Sequence, residues 1–186
     1  IKNSTEDDWL KQAKLIQTQL TDEVIVNAFA QLPTEAQDTT TDNLQRLLKV
    51  RRQDLQQYAA EYFKVLQKTI VITGTDKKDK FVVSKELPHQ IIIQHFRIKK
   101  NGDELVMTKK ISDVLTKEVW IYGLNDDDIF EVKGNAKSQI VIRLIGGQNH
   151  DNYTVENGRK IKIYDFKSKK NTVQTDRKTT VHLSDD

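Results

Sequence analysis

Three segments of this chain place an aspartate where it could bind a cation or tie a turn. They are ITGTDKKDKFVV from Ile72, IYGLNDDDIFEV from Ile121 and LIGGQNHDNYTV from Leu144, and they align without a gap. Each has an apolar residue, a glycine two positions on, an aspartate five after the glycine, an aromatic two after that and a valine two further. A carboxylate at such a turn accepts hydrogen bonds from the turn's own amides, or offers its oxygens to a hard cation such as calcium. On the second reading the ligands are Asn125, Asp126 and Asp128 in one turn and Asn149 and Asp151 in another. Asp126, Asp127 and Asp128 repel one another unless a cation, or Arg143 nearby, compensates. The glycine reads as a sharp turn whose backbone dihedral side chains resist. Residues two apart on a strand share a face, so Phe81, Phe130 and Tyr153, with Val83, Val132 and Val155, should stack as apolar ladders.

No other grouping of residue types offers chemistry. The chain lacks cysteine, which removes disulfides, thiolate metal sites and cysteine nucleophiles. Its four histidines, His89, His95, His150 and His182, have no helical metal spacing. On one strand His89 and His95 would share a face with Ile91 and Ile93 yet stand about 20 Å apart. Nucleophile elbows, phosphate loops and dinucleotide fingerprints are missing, so no catalytic residue is assigned. Trp120 and Tyr122 alternate with Val119 and Ile121; one pair is expected in the core, and the other could stack on a sugar or a partner.

Two kinds of element must position these residues. Up to Lys68 the apolar residues recur at helical spacing. Ser4 or Thr5 caps a first helix, Thr21 starts a second that stops at Pro33, and Pro33–Thr41 reads as a loop. From Asp42 to Leu66 the pattern predicts one helix of about 25 residues, near 40 Å long. After Lys68 the period changes to two, with short β-branched and aromatic runs separated by turn residues. The chain therefore reads as α+β, with a helical hairpin or three-helix arm over 1–68 and a β-rich domain over 69–186, either β-roll or solenoid-like or a mixed sheet. Gly74 to Gly123 spans 49 residues and Gly123 to Gly146 spans 23, so the first interval has room for a second unit. A degenerate copy with Asp103, Leu105 and Met107 could fill it. The Asn101–Gly102 pair predicts instead an antiparallel hairpin over 89–112, and this is the favoured alternative. A weaker echo, IYDFKSKKNTV from Ile163, puts Asp165 in the glycine slot.

The segment Gly146-Gly147-Gln148-Asn149-His150-Asp151-Asn152-Tyr153 resembles the glycine-rich nonapeptide of haemolysin-type calcium-binding repeats. That resemblance implies calcium shared between turns, with Asp79, Asp128 and Asp151 in the ligating slots. The wider pattern, from DDWLKQAKLIQTQLTDEVIVNAFAQLP through RLLKVRRQDLQQYAAEYFKVLQKTIVITGTD to IRLIGGQNHDNY, resembles an internal region of large envelope proteins of Bacteroidetes-type bacteria. Those proteins carry it beside metallophosphoesterase or surface-antigen modules. The likeness implies an extracytoplasmic, linking or scaffolding segment, in the periplasm, outer membrane or cell surface; the expected partners are other domains of its parent, with a glycan or protein as a further candidate.

Thirty basic against 27 acidic residues give a net charge of +3, and the signs alternate, which points to neither nucleic acid nor an anionic membrane. No run reaches the roughly 18 apolar residues of a spanning helix. Ile1 in place of methionine and the ending VHLSDD read as a segment of a longer protein. The expectation is a non-catalytic structural or interaction module, with calcium as candidate cofactor. The alternatives are a glycan- or peptide-binding module and an accessory domain of a hydrolase encoded on the same polypeptide.

Overall fold

A computed structural model describes residues 4–185, so residues 1–3 and the final aspartate lie outside it. The chain is α+β and divides into two compact units, Ile1–Leu66 and Gln67–Asp186, beside the boundary expected after Lys68.

The first unit holds α1 (Glu6–Gln19), α2 (Asp22–Ala30), a single 3-10 turn (Thr34–Ala36), α3 (Thr39–Gln53) and α4 (Leu55–Gln67). Thr5 caps α1 through a reciprocal box with Asp8, and Thr21 caps α2. The one long helix expected from Asp42 is instead two. Helix α3 starts earlier because Asp38 accepts the amides of Thr40 and Thr41, and the helical path breaks at Asp54. At the break the carbonyls of Arg52 and Gln53 accept from the Gln17 side chain of α1 at 2.7 and 2.8 Å. Arg52 reaches back to the Leu20 carbonyl and Asp22. Continuous apolar periodicity carries no trace of this side-chain competition for backbone groups. Trp9 packs on Tyr62 and Phe63 at 5.8 and 6.2 Å.

The second unit is a two-sheet parallel β-solenoid. One sheet runs β1 (Thr69–Thr73), β5 (Glu118–Leu124), β7 (Val141–Gly147), β9 (Ile161–Asp165), β11 (Thr180–Leu183), every pair parallel. The other runs β10 (Thr172–Gln174), β8 (Asn152–Val155), β6 (Ile129–Lys133), β2 (Asp79–Ser84), then β3 (Gln90–Arg97) and β4 (Glu104–Ser112). Alternating between sheets, the chain winds four coils: β1–β2, β5–β6, β7–β8 and β9–β10. Strands β3 and β4 form the antiparallel hairpin on the edge of β2, so the hidden fourth copy of the motif does not exist. The echo at Ile163 does form a coil, with β9 and β10 pairing in register with β7 and β8.

Register converts the motif into rows. Phe81 stands beside Phe130, and Phe130 beside Tyr153, all three fully buried, with ring centroids 5.4 and 4.9 Å apart. Val83, Val132 and Val155 form the parallel row, and Ile72, Ile121, Leu144 and Ile163 the facing one. These rows close into one hydrophobic core. Stacked aromatics at this spacing add roughly 0.5–1.5 kcal/mol per pair beyond their burial.

Candidate functional site

The motif aspartates form a buried ladder. Where β1, β5 and β7 pass to the opposite sheet, Asp79, Asp128 and Asp151 lie one above another at 0%, 0% and 1% exposure. The Asp79 amide donates to Asp128 Oδ1 at 2.8 Å, and the Asp128 amide donates to Asp151 Oδ1 at 2.8 Å. The Asp151 amide donates to Asn171 Oδ1 at 2.9 Å, so asparagine takes the same rung in the fourth coil. The side chains of Asp128, Asp151 and Asn171 thus each bind the backbone of the coil before.

The glycines serve this ladder sterically. None of Gly74, Gly123 and Gly146 has a positive φ, which corrects the dihedral explanation; among the described glycines only Gly102 and Gly134 do. A Cβ on any of them would instead lie under 3.0 Å from the Oδ2 of the aspartate five residues on. At Gly146 the missing Cβ also makes room for the Tyr153 hydroxyl and Asp165 Oδ2. Asp151, Tyr153 and Asp165 therefore converge on one spot, where the tyrosine donates to Asp165 at 2.8 Å. Positive φ does occur at Leu124 and Asp126, inside the second turn; aspartate tolerates it better than leucine.

Electrostatics divide the ladder. Asp79 is bound on both oxygens: Thr75 donates its amide and hydroxyl to Oδ2 at 2.6 and 2.8 Å, and His95 and Arg97 from β3 approach Oδ1 at 2.9 and 3.1 Å. Burial raises the Asp79 pKa, but the His95 and Thr75 bonds outweigh it and hold the group below the usual carboxylate range. Asp128 and Asp151 have no such cation, and their Oδ2 atoms are buried without a hydrogen-bond partner. Burial pushes Asp128 up to about 8 and Asp151 up to about 6, with neighbouring carboxylates adding to both. Burial also raises Asp165 and the Tyr153 hydroxyl. A carboxyl so placed stays protonated at pH values where an exposed one is ionised.

The five expected calcium ligands are divided between this interior and an outer rim. Asp128 and Asp151 belong to the ladder. Asn125 donates to Asp76 at 2.8 Å, Asp126 accepts the Asp127 amide at 2.9 Å, and Asn149 is exposed. Among the described residues no three His, Asp or Glu side chains gather as a metal cage. Nor does Arg143 compensate the three aspartates. Lys78 does so from the neighbouring turn, pairing with Asp127 at 2.9 Å and lowering its pKa.

Arg143 instead organises the outer face of the all-parallel sheet. Val119 and Ile121 are buried, so Trp120 and Tyr122 point outward, half-exposed. The Arg143 guanidinium binds Glu118 at 3.1 and 3.2 Å and donates to the Tyr164 hydroxyl at 2.5 Å. It lies 5.4 Å from the Trp120 ring centre and 5.6 Å from that of Tyr164. Tyr164 stacks on His182 at 4.8 Å, beside an open pocket of about 270 Å³ lined by Ile145, Tyr164, Asp165 and Phe166.

Sequence reasoning missed the His95–Arg97 clamp, the Asn171 rung and the Arg143 network. The first two had a signal, since register across the hairpin brings His95 beside Phe81, and the Ile163 echo puts Asn171 just before β10. No helix among the described residues is long and apolar enough to cross a membrane. Comparison with family models, with characterised proteins and with solved structures found no match to this chain.

Proposed function

We propose that this chain is a non-catalytic structural and interaction module of a larger bacterial envelope protein, acting outside the cytoplasm. One observation carries the proposal: the carboxylates of Asp128 and Asp151 are spent on coil-to-coil cohesion, each bound to the amide of the equivalent aspartate in the preceding coil. Paired carboxyls with separated pKa values are a mark of acid–base sites, but a substrate has no route to rungs with at most 1% exposure. The likeness to envelope proteins supports the extracytoplasmic setting.

The test asks whether the chain itself is catalytic. The purified chain, given p-nitrophenyl phosphate and manganese, is expected to show no turnover above buffer. Metal-dependent hydrolysis that disappears in an Asp128→Asn, Asp165→Asn variant would overturn the proposal.

A second reading, a glycan- or peptide-binding face, is supported by the half-exposed row of Trp120, Tyr122 and Tyr164. Arg143 and His182 already occupy much of the ring surface a sugar would use. Retardation in polysaccharide-containing gels, lost on Tyr164→Ala, would place this reading first.

A further inference from the structure

The chain contains two Asn-Gly pairs, and the fold places them in contrasting settings. Asn101–Gly102 sits at the tip of the β3–β4 hairpin, where both residues are exposed. Among the described residues no hydrogen bond holds the Asn101 carboxamide. Gly102 has a φ of +112° and open space where a Cβ would stand, and its amide donates to the Lys99 carbonyl at 3.2 Å. Asn157–Gly158 lies in the connection between β8 and β9. There Asn157 Oδ1 accepts the Arg159 amide at 3.2 Å, and the Asn157 carbonyl accepts Lys85 Nζ at 3.3 Å. The amide of Gly158, a buried residue, donates to Asp176 Oδ1 at 3.0 Å, and its carbonyl accepts the Ile161 amide at 2.9 Å.

We propose that Asn101 is a site of spontaneous covalent modification, at which the Gly102 nitrogen displaces the side-chain amide and the hairpin tip becomes an isoaspartyl link. The Gly102 nitrogen gives its proton to water and attacks Asn101 Cγ. A C–N bond closes a succinimide ring, and the side-chain nitrogen takes up a proton and leaves as ammonia. Water then opens the ring: breaking the new bond gives aspartate, and breaking the original main-chain bond gives isoaspartate. No oxidation state changes, and water is the co-reactant. Glycine permits the attack because no side chain shields its nitrogen, and an exposed loop tip lets the backbone reach the ring geometry. At Asn157 the carboxamide, the nucleophilic nitrogen and the flanking carbonyls are all engaged, so attack there waits on local opening.

The product differs from the parent in charge and in chain length. Each converted chain gains a carboxylate beside Lys99, Lys100, Asp103 and Glu104, so its net charge falls from +3 by one. An isoaspartyl link also adds a carbon to the main chain within the turn, and turn length sets the register of a hairpin. The pairs nearest the tip are Arg97 with Glu104 and Phe96 with Leu105. Arg97 and His95 of the same strand hold Asp79, so a loosened tip weakens the first rung of the carboxyl ladder.

The test is to age the whole chain in warm, mildly alkaline buffer and map its peptides by mass spectrometry. The peptide holding Asn101 is expected to gain one mass unit and to accept a methyl group from a protein isoaspartate methyltransferase, and Asn101→Gln should abolish both. Conversion at Asn157 should be slower by about tenfold or more, the factor that about 1.4 kcal/mol of local opening free energy imposes. In denaturant the two rates should come within about threefold of each other, since the fold no longer separates them. Equal rates in the native chain would overturn the proposal, as would a native Asn101 that stays intact while the denatured one converts. A gap that persists in denaturant would assign the preference to neighbouring residues and overturn the structural argument. The isoaspartyl form, separated by ion exchange, should melt below the parent, whereas Asn101→Asp, which carries the charge without the extra carbon, should melt with it. Equal melting of all three would overturn the loosening of the hairpin.

Discussion

Asp79 and Asp128 occupy the same rung position one coil apart, and the protein treats them oppositely. Asp79 meets a histidine, an arginine and a threonine, and it is held ionised. Asp128 meets one amide, and burial holds its proton on. The hairpin makes the difference: β3 reaches only the first coil, so His95 and Arg97 serve only the first rung. A buried charge is tolerated when paired and hydrogen-bonded, and otherwise a carboxyl takes up a proton. Repetition of a motif therefore does not imply repetition of its charge state.

The largest effect should come from breaking the compensated rung. His95→Ala takes one partner from a buried carboxylate that Arg97 and Thr75 still hold, and removes a ring stacked 4.6 Å from Phe81, which predicts a loss of about 3–4 kcal/mol in denaturant unfolding. Gly146→Ala comes next. Its methyl would collide with Asp151, Tyr153 and Asp165 together, so a cost of about 3 kcal/mol is expected, read as a lower thermal midpoint.

Asp128→Asn sharpens the comparison from the other side, because Asn171 already serves as a rung. At pH 8 this variant should match or exceed the parent by about 1 kcal/mol. Its pH dependence should differ more clearly. With a folded pKa of about 8 against 3.8, native Asp128 binds more protons than the unfolded chain between those values. Its contribution to stability therefore falls as pH rises from about 4 to about 8, by at most roughly 1.4 kcal/mol per unit. The Asn variant loses that slope. Asp79 acts in the opposite sense: its lowered pKa contributes stability above the ordinary carboxylate range that is lost as pH falls below about 4. The smallest effect concerns calcium. Millimolar calcium should leave the melting midpoint unchanged, since a ligand that prefers the folded state would raise it.

Much of the fold was legible because its signals are local. The change of period near Lys68 and the Asn101–Gly102 turn follow from patterns within a few residues, and the Phe81, Phe130 and Tyr153 row from the recurrence of one short motif. The helix break at Asp54 was not legible, since a Gln17 side chain 35 residues away takes the carbonyl at issue. The candidate site was half legible. The spacing located Asp79, Asp128 and Asp151, but whether they face a cation or the interior depends on register between coils, which no single turn encodes. The motif glycine illustrates the limit: its spacing was visible, but its reason is a carboxylate folded back against its Cα, not a dihedral.

The claim beneath all of this is that the Gly-Asp turns form an interior carboxyl ladder and not a metal loop. Its most direct test is the pH titration of the Asp128 carboxyl carbon by NMR, with and without calcium. The account predicts a midpoint near 8 that calcium does not move. A midpoint below 4, or one that calcium drives down, would contradict it.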